Sequence, residues 1–186
     1  GIKNSEEIRT YPPTQTVHEE EILRHTRAPA DISDAIKEKA RTVARKALTV
    51  LEGRGAYGIE LFQDGEDILL NEIAPRPHNS GHWTIEGAVT SQFENHVRGV
   101  LDLPLGSTEP IEPSVTVNIL GTEGERPVQL HGVDAFLEHP KAHLHWYGKK
   151  QERPLRKMGH FTLTGTDQNE ILEEAQNLAG ELTFKS

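Results

Sequence analysis

The chain has 186 residues, 29 acidic against 20 basic, a formal charge of -9 and no cysteine. That balance argues against nonspecific nucleic-acid binding, which needs a basic face, and the missing cysteine excludes disulfides, thiolate nucleophiles and cysteine–zinc centres. No apolar run approaches the ~18 residues a membrane span needs and no secretory signal is present, so neither a nucleic acid nor a membrane is expected as a partner, and a cytoplasmic location is.

Hydrophobic periodicity and breakers read as mixed α and β. Residues 7–11 are strand-like and stop at Pro12-Pro13; short strands follow at 16–18 and 22–26 around the acidic Glu19-Glu20-Glu21. A helix is predicted over residues 32–51, capped by Asp31 or Ser33 and ended by Gly53. Its inward stripe is Ile36, Ala40, Val43, Ala47 and Val50 or Leu51. Two buried strands, 57–62 and 68–73, flank Gln63-Asp64-Gly65-Glu66-Asp67, and the Asp-Gly pair signals an antiparallel hairpin with a loop of four or five residues. A second helix is expected over 90–101, with Phe93, Val97 and Val100 facing inward. Proline-rich stretches at 103–106 and 110–113 form a linker. Beyond it lie strands at 114–120, 142–147 and 161–164, a short helix at 132–137 and a last helix from Asp167 to about Gly180. The stripe of that last helix is Ile171, Leu172, Ala175, Leu178 and Ala179. The chain therefore reads as α+β, with a larger part at 1–106 and a small α+β lobe at 107–186.

Chemistry concentrates at residues 71–82, Asn-Glu-Ile-Ala-Pro-Arg-Pro-His-Asn-Ser-Gly-His. Glu72 ends the second hairpin strand, and hairpin pairing brings Glu60 opposite or next to Asn71-Glu72, at cross-strand distances of roughly 4.5–5.5 Å between Cβ atoms. Two carboxylates and an amide oxygen suit a hard cation such as magnesium, which keeps waters and phosphates as its other ligands. The alternative is a register in which one carboxylate points to solvent. Pro75 and Pro77 hold Arg76 on a stiff, extended tether, ready for a carboxylate or phosphate. His78, Asn79 and Ser80 follow as donors, and Gly81 permits close backbone approach; a proline-rich loop with a structural arginine is the alternative. In this acidic chain the five cations Lys149, Lys150, Arg153, Arg156 and Lys157 stand out as an anion-binding loop, unless they form only a solvated connection. The neighbouring His145, Trp146, Tyr147 and His160 add ring surface and donors for a nucleotide-like ligand. His143 and His145 lack the third ligand a zinc site needs.

These residues resemble the N5-carboxyaminoimidazole ribonucleotide synthetase family of ATP-grasp enzymes. The most specific stretch is Leu70-Asn71-Glu72-Ile73-Ala74-Pro75-Arg76-Pro77-His78-Asn79-Ser80-Gly81-His82. Thr84-Ile85-Glu86, Thr90-Ser91-Gln92-Phe93-Glu94, Leu103-Pro104-Leu105-Gly106, Tyr147-Gly148-Lys149, Arg153-Pro154 and Arg156-Lys157-Met158-Gly159-His160 follow in the family's order. The resemblance implies the C-terminal part of an ATP-grasp domain, an antiparallel sheet with helices, followed by a small α+β lobe. It implies a cytoplasmic enzyme of purine biosynthesis, a homodimer at full length, that uses ATP, bicarbonate and two magnesium ions to carboxylate 5-aminoimidazole ribonucleotide. By the same resemblance Glu60 and Glu72 hold magnesium, and His18, Asn71 and Glu72 lie at the nucleotide. Arg76, His78 and Asn79, with Ser80, face bicarbonate and the acceptor, and Lys149 and Arg156 grip the ribonucleotide phosphate.

Two departures stand out. Leu155 occupies a position where the family usually has glycine, which puts the backbone of the phosphate-gripping loop and the placement of Arg156 in doubt. The chain also has no glycine-rich phosphate loop with its lysine, nor the family's N-terminal domain or most of the lobe over ATP. It is therefore expected to be a fragment with little turnover alone. The alternatives are an ATP-grasp ligase for another amine, such as glycinamide ribonucleotide, and a noncatalytic nucleotide-binding module.

Overall fold

The computed structural model describes residues 1–185 except Glu123 and Glu125, and Arg126 by its backbone alone. The elements run β1 (Ile2–Lys3), β2 (Ile8–Arg9), β3 (Gln15–Glu19), β4 (Ile22–Ala28), α1 (Asp34–Val50), β5 (Gly55–Ala56), β6 (Gly58–Asp64) and β7 (Asp67–Ala74). A single 3-10 turn, Asn79–Gly81, leads to α2 (Thr84–Gly87) and α3 (Gln92–Val100). There follow β8 (Ser114–Leu120), β9 (Arg126–Pro127), β10 (Gln129–His131), α4 (Asp134–Glu138), β11 (Ala142–Trp146), β12 (Gln151–Glu152), β13 (Lys157–Thr164), α5 (Gln168–Glu181) and β14 (Thr183–Lys185). Two compact units result: Gly1–Gln15 with Ala28–Ile111, and Thr16–Arg27 with Glu112–Ser186.

In the first unit β1 is the middle strand of a small antiparallel sheet, β2-β1-β5, and β6 pairs with β7 as the expected hairpin. The hairpin loop is shorter than its sequence suggests. Asp64 pairs with Asp67, so only Gly65 and Glu66 turn the chain. Gly65 takes φ 58°, the left-handed conformation that a first-position glycine supplies in tight hairpin turns.

Helix α1 starts at Ser33, whose hydroxyl accepts from the Ile36 N–H, so Ser33 and not Asp31 is the cap. Its buried line is Ile36, Ala40, Ala44 and Leu48. The expected stripe is rotated from this: Val43 and Ala47 are half-buried, and Val50 is exposed. Small residues on the inner line let α1 pack against β7 and β2.

Helix α3 corrects the sequence reading more sharply. Ser91 caps it, and its buried residues are Gln92, Asn95 and Gly99. Phe93, Val97 and Val100, expected inside, are 40%, 54% and 52% exposed. The inward face is chosen by hydrogen bonding. Asn95 accepts from Gly106 N–H at 2.8 Å and donates to Tyr11 Oη at 2.9 Å. His96 Nδ1 accepts from Ala56 N–H at 3.0 Å. A Cβ at Gly99 would lie 2.7 Å from the Lys3 carbonyl oxygen, so helix and sheet backbones meet there. Buried backbone groups need partners, and α3 supplies them with its polar face. Tyr11 completes the arrangement by donating to Thr90 O at 2.7 Å, and burial pushes its hydroxyl pKa up to about 12.

The second unit is built on the five-stranded sheet β11-β13-β8-β4-β3. The β3–β4 segment joins this unit because β4 borders β8, a pairing that no local pattern announces. Helix α5 covers β8 and β13. Asp167 caps it as expected, accepting from the Asn169 and Glu170 N–H groups. Ile171 and Ala175 enter a core with Val115, Ile119, Phe136, Met158, Phe161 and Leu163, and Leu172, Leu178 and Ala179 pack around it.

Candidate active site

The β6–β7 register sets Glu60 directly opposite Glu72. Regular alternation would send Asn71 to the other face. A register shift intervenes, however: Glu60 pairs with Glu72 while Leu61 pairs with Leu70, leaving Asn71 as the extra residue of a bulge. Its amide Nδ2 accordingly lies 3.3 Å from Glu60 Oε2. Two carboxylates and one amide thus share one side of the hairpin. Asn71 and Glu72 are exposed and Glu60 is half-buried. Among the described residues no group of three or more His, Cys, Asp or Glu side chains is placed to hold a metal by itself.

After Ala74 the chain bends. The Arg76 N–H returns to Ala74 O at 2.8 Å, which closes a tight turn around Pro75 in place of the fully extended path expected. Arg76 is exposed, and its Nη1 donates to Pro77 O at 3.1 Å. His78 then lies on the backbone of β6. A Cβ added to Gly58 would stand 2.5 Å from the Cβ of His78, so glycine there is the seat of the imidazole. The Ser80 N–H is 3.4 Å from His78 Nδ1, and the Ser80 hydroxyl is 2.9 Å from the same atom. Nδ1 therefore accepts, and the ring proton sits on Nε2. Nε2 is 3.6 Å from Glu60 Oε1. Asn79 is buried at the start of the 3-10 turn. Glu60, Asn71, Glu72, Arg76, His78, Asn79 and Ser80 all belong to the first unit, and His78 joins the loop to the carboxylate pair through Glu60.

His18, Lys149 and Arg156 belong to the second unit. His18 is exposed on β3. Lys149 donates to Lys157 O, and its ammonium stands 5.6 Å from the centre of the Tyr147 ring. Tyr147 Oη is 2.8 Å from His160 Nδ1. Desolvation, then the charges of Arg156 and Arg153, hold the Lys149 pKa below its ordinary value. Cations crowded in this way favour an anion among them. Arg156 Nη1 donates to Gln151 O at 2.8 Å.

The segment between these cations is not a plain loop. Gln151 and Glu152 pair with β9, and Glu152 is fully buried, accepting from Thr122 N–H at 3.0 Å. Leu155, flagged by its departure from glycine, takes φ 60°.

Sequence reasoning missed two residues that shape the site. Gly58 gives no signal beyond interrupting an apolar run. Gln92 sits on a helix whose apolar periodicity points the other way; its side chain bonds both backbone groups of His78.

A model of the ATP-grasp domain matches residues 2–93, and one of the phosphoribosylaminoimidazole carboxylase C-terminal domain matches residues 114–174. The N5-carboxyaminoimidazole ribonucleotide synthase of Synechococcus elongatus is 39% identical over 178 residues, covering 94% of this chain and 45% of that protein. The solved N5-carboxyaminoimidazole ribonucleotide synthetase of Thermotoga maritima is 43% identical with a TM-score of 0.88, covering all of this chain and 51% of that one. The Aspergillus clavatus enzyme, solved with ADP and 5-aminoimidazole ribonucleotide, is 40% identical with a TM-score of 0.87, covering 96% of this chain and 49% of that one. The chain spans less than half the length of the curated relatives it matches.

Proposed function

The chain belongs to the N5-carboxyaminoimidazole ribonucleotide synthetase family of ATP-grasp proteins, and from that premise we propose that it forms one wall of a site for ATP- and bicarbonate-dependent carboxylation of 5-aminoimidazole ribonucleotide. In this reaction a bicarbonate oxygen attacks the γ-phosphorus of ATP, the bond to the bridging oxygen breaks, and ADP leaves. The exocyclic amine of the ribonucleotide then takes the carboxyl carbon of carboxyphosphate, or the carbon dioxide it releases, as phosphate departs and the amine loses a proton.

The observation that carries this reading is the bulge that turns Asn71 to the side of the opposed Glu60 and Glu72. Oxygen donors in that arrangement fit magnesium, with water and phosphate oxygens completing the shell. Bound there, magnesium would neutralise charge on the phosphates during transfer. Glu60 and Glu72 would be its protein ligands, and Asn71 and His18 would lie at the nucleotide. Arg76, His78, Asn79 and Ser80 would orient bicarbonate and the acceptor amine, with the Arg76 guanidinium countering developing negative charge. Lys149 and Arg156 would hold the ribonucleotide phosphate. The two magnesium ions and the homodimer expected of the family belong to the same proposal.

The test is calorimetry with magnesium-ADP and with 5-aminoimidazole ribonucleotide, paired with ATP hydrolysis assays. Hydrolysis is measured on the chain alone and with the remaining length of its relatives supplied. Glu72→Ala should abolish magnesium-dependent nucleotide binding. Indifference to that change would favour a noncatalytic module, and stimulation by glycinamide ribonucleotide alone would reassign the acceptor.

A further inference from the structure

We infer that Gln92 is a positioning residue for the acceptor-facing loop: its one buried amide grips both backbone groups of His78 and sets the tautomer of His82. The role in catalysis presupposes the function proposed above; the grip itself does not.

The partners determine which end of the amide is which. The His78 N–H can only donate, so the side-chain atom 2.9 Å from it is Gln92 Oε1. The His78 carbonyl can only accept, so the atom 2.8 Å from it is Nε2. Nε2 is also 3.0 Å from His82 Nδ1. That ring nitrogen must therefore accept, which leaves the His82 proton on Nε2.

The surroundings hold the residue in place. Gln92 is only 5% exposed. Its own N–H donates to Thr84 Oγ1 at 2.9 Å, and that hydroxyl donates to Gly81 O at 2.6 Å. A Cβ at Gly81 would stand 2.7 Å from Gln92 Oε1, so the glycine lets the loop close on the amide. A buried amide bonded in this way is rigid, and no residue of similar size replaces it. Glutamate loses both donors; methionine loses donors and acceptor.

The consequence reaches the carboxylate pair. Gln92 fixes the main chain of His78, while Ser80 and the bare backbone at Gly58 fix its ring, so that Nε2–H faces Glu60. Helix α3 thereby sets the distance between the acceptor loop and the Glu60–Glu72 pair. Small displacements of reacting groups have large kinetic effects. An amide that merely satisfied buried backbone would affect both substrates alike; a positioning amide acts selectively on the acceptor.

The experiment has two arms on the full chain. In nitrogen-15 NMR near neutral pH, wild-type His82 should show an unprotonated Nδ1 and a protonated Nε2. In Gln92→Glu the carboxylate should draw a proton onto His82 Nδ1 while still accepting from the His78 N–H, and exchange of the His78 amide should quicken about tenfold in Gln92→Met, which removes that acceptor. In ATP turnover, with the remaining length of the relatives supplied, both variants should raise KM for 5-aminoimidazole ribonucleotide about tenfold and leave KM for ATP within about twofold. A wild-type His82 carrying its proton on Nδ1, or unchanged His78 exchange in Gln92→Met, overturns the grip. Equal rises in both KM values, or no change in KM for the ribonucleotide, overturn the positioning role. Should the variants not fold, the wild-type tautomer still decides the grip. Absence of ribonucleotide-dependent turnover in the wild type would sink the proposed function, while the tautomer and exchange measurements would still decide the grip.

Discussion

Replacing Leu155 by glycine and, separately, by alanine isolates the strain in the basic loop. Leu155 is held at φ 60° by a clasp around Gly121: its N–H donates to Gly121 O at 2.9 Å, and Gly121 N–H donates to Arg156 O at 2.8 Å. The Arg156 N–H closes the turn on Arg153 O at 3.0 Å. For an L-residue the left-handed conformation costs roughly 1–2 kcal/mol. Both substitutions remove the half-buried leucine side chain, so their difference cancels that loss. At an ordinary position glycine is roughly 0.5–1 kcal/mol less stable than alanine. Here relief of strain outweighs that, and Leu155→Gly should exceed Leu155→Ala by about 0.5–1 kcal/mol. In a unit of this size that corresponds to a difference of about 2–8 °C in Tm, read by thermal unfolding followed through the fluorescence of Trp146, which lies in the same unit. An alanine variant as stable as the glycine variant, or more so, would refute the left-handed turn.

The inverted face of α3 predicts that Asn95→Ala, which strips the Gly106 N–H and Tyr11 Oη of their partner, destabilises by about 2–3 kcal/mol. Val97→Glu on the exposed side should stay within about 0.5 kcal/mol in urea unfolding; the reverse order would mean that the helix faces as its apolar pattern suggests. Because Tyr11 keeps its proton up to about 12 when folded but ionises near its ordinary value of 10 when unfolded, its contribution is intact below pH 10 and declines between those values. Tyr11→Phe should remove that slope from the alkaline stability profile, and an unchanged slope would assign it elsewhere. Lys149→Ala should weaken 5-aminoimidazole ribonucleotide about tenfold or more in calorimetry without altering magnesium-ADP binding; equal weakening of both ligands would place the basic loop at the nucleotide instead.

Much of the scaffold was legible in local pattern. Alternating apolar runs around an Asp-Gly turn announced the β6–β7 hairpin, and with it Glu60 beside Glu72. Helix periodicity and the Asp167 cap announced α5 and its core face. The leucine in a glycine's place put the backbone at residue 155 in question; the structure gives it φ 60°, a conformation that favours glycine. Four features were not legible. The tight Gly65-Glu66 turn and the bulge at Asn71 depend on pairing across strands, not on either strand alone. The orientation of α3 depends on which buried backbone groups its neighbours leave unpaired. The grip of Gln92 joins residues from two segments that local spacing cannot relate.

The sequence by itself determined where candidate groups concentrate, because a carboxylate pair, a proline-stiffened arginine and a cluster of cations are costly to crowd without a ligand to answer them. Only the tertiary structure decided how those groups are aimed. Direction comes from hydrogen bonds between distant backbone and side-chain groups, which turn a polar helix face inward and leave apolar Phe93, Val97 and Val100 exposed.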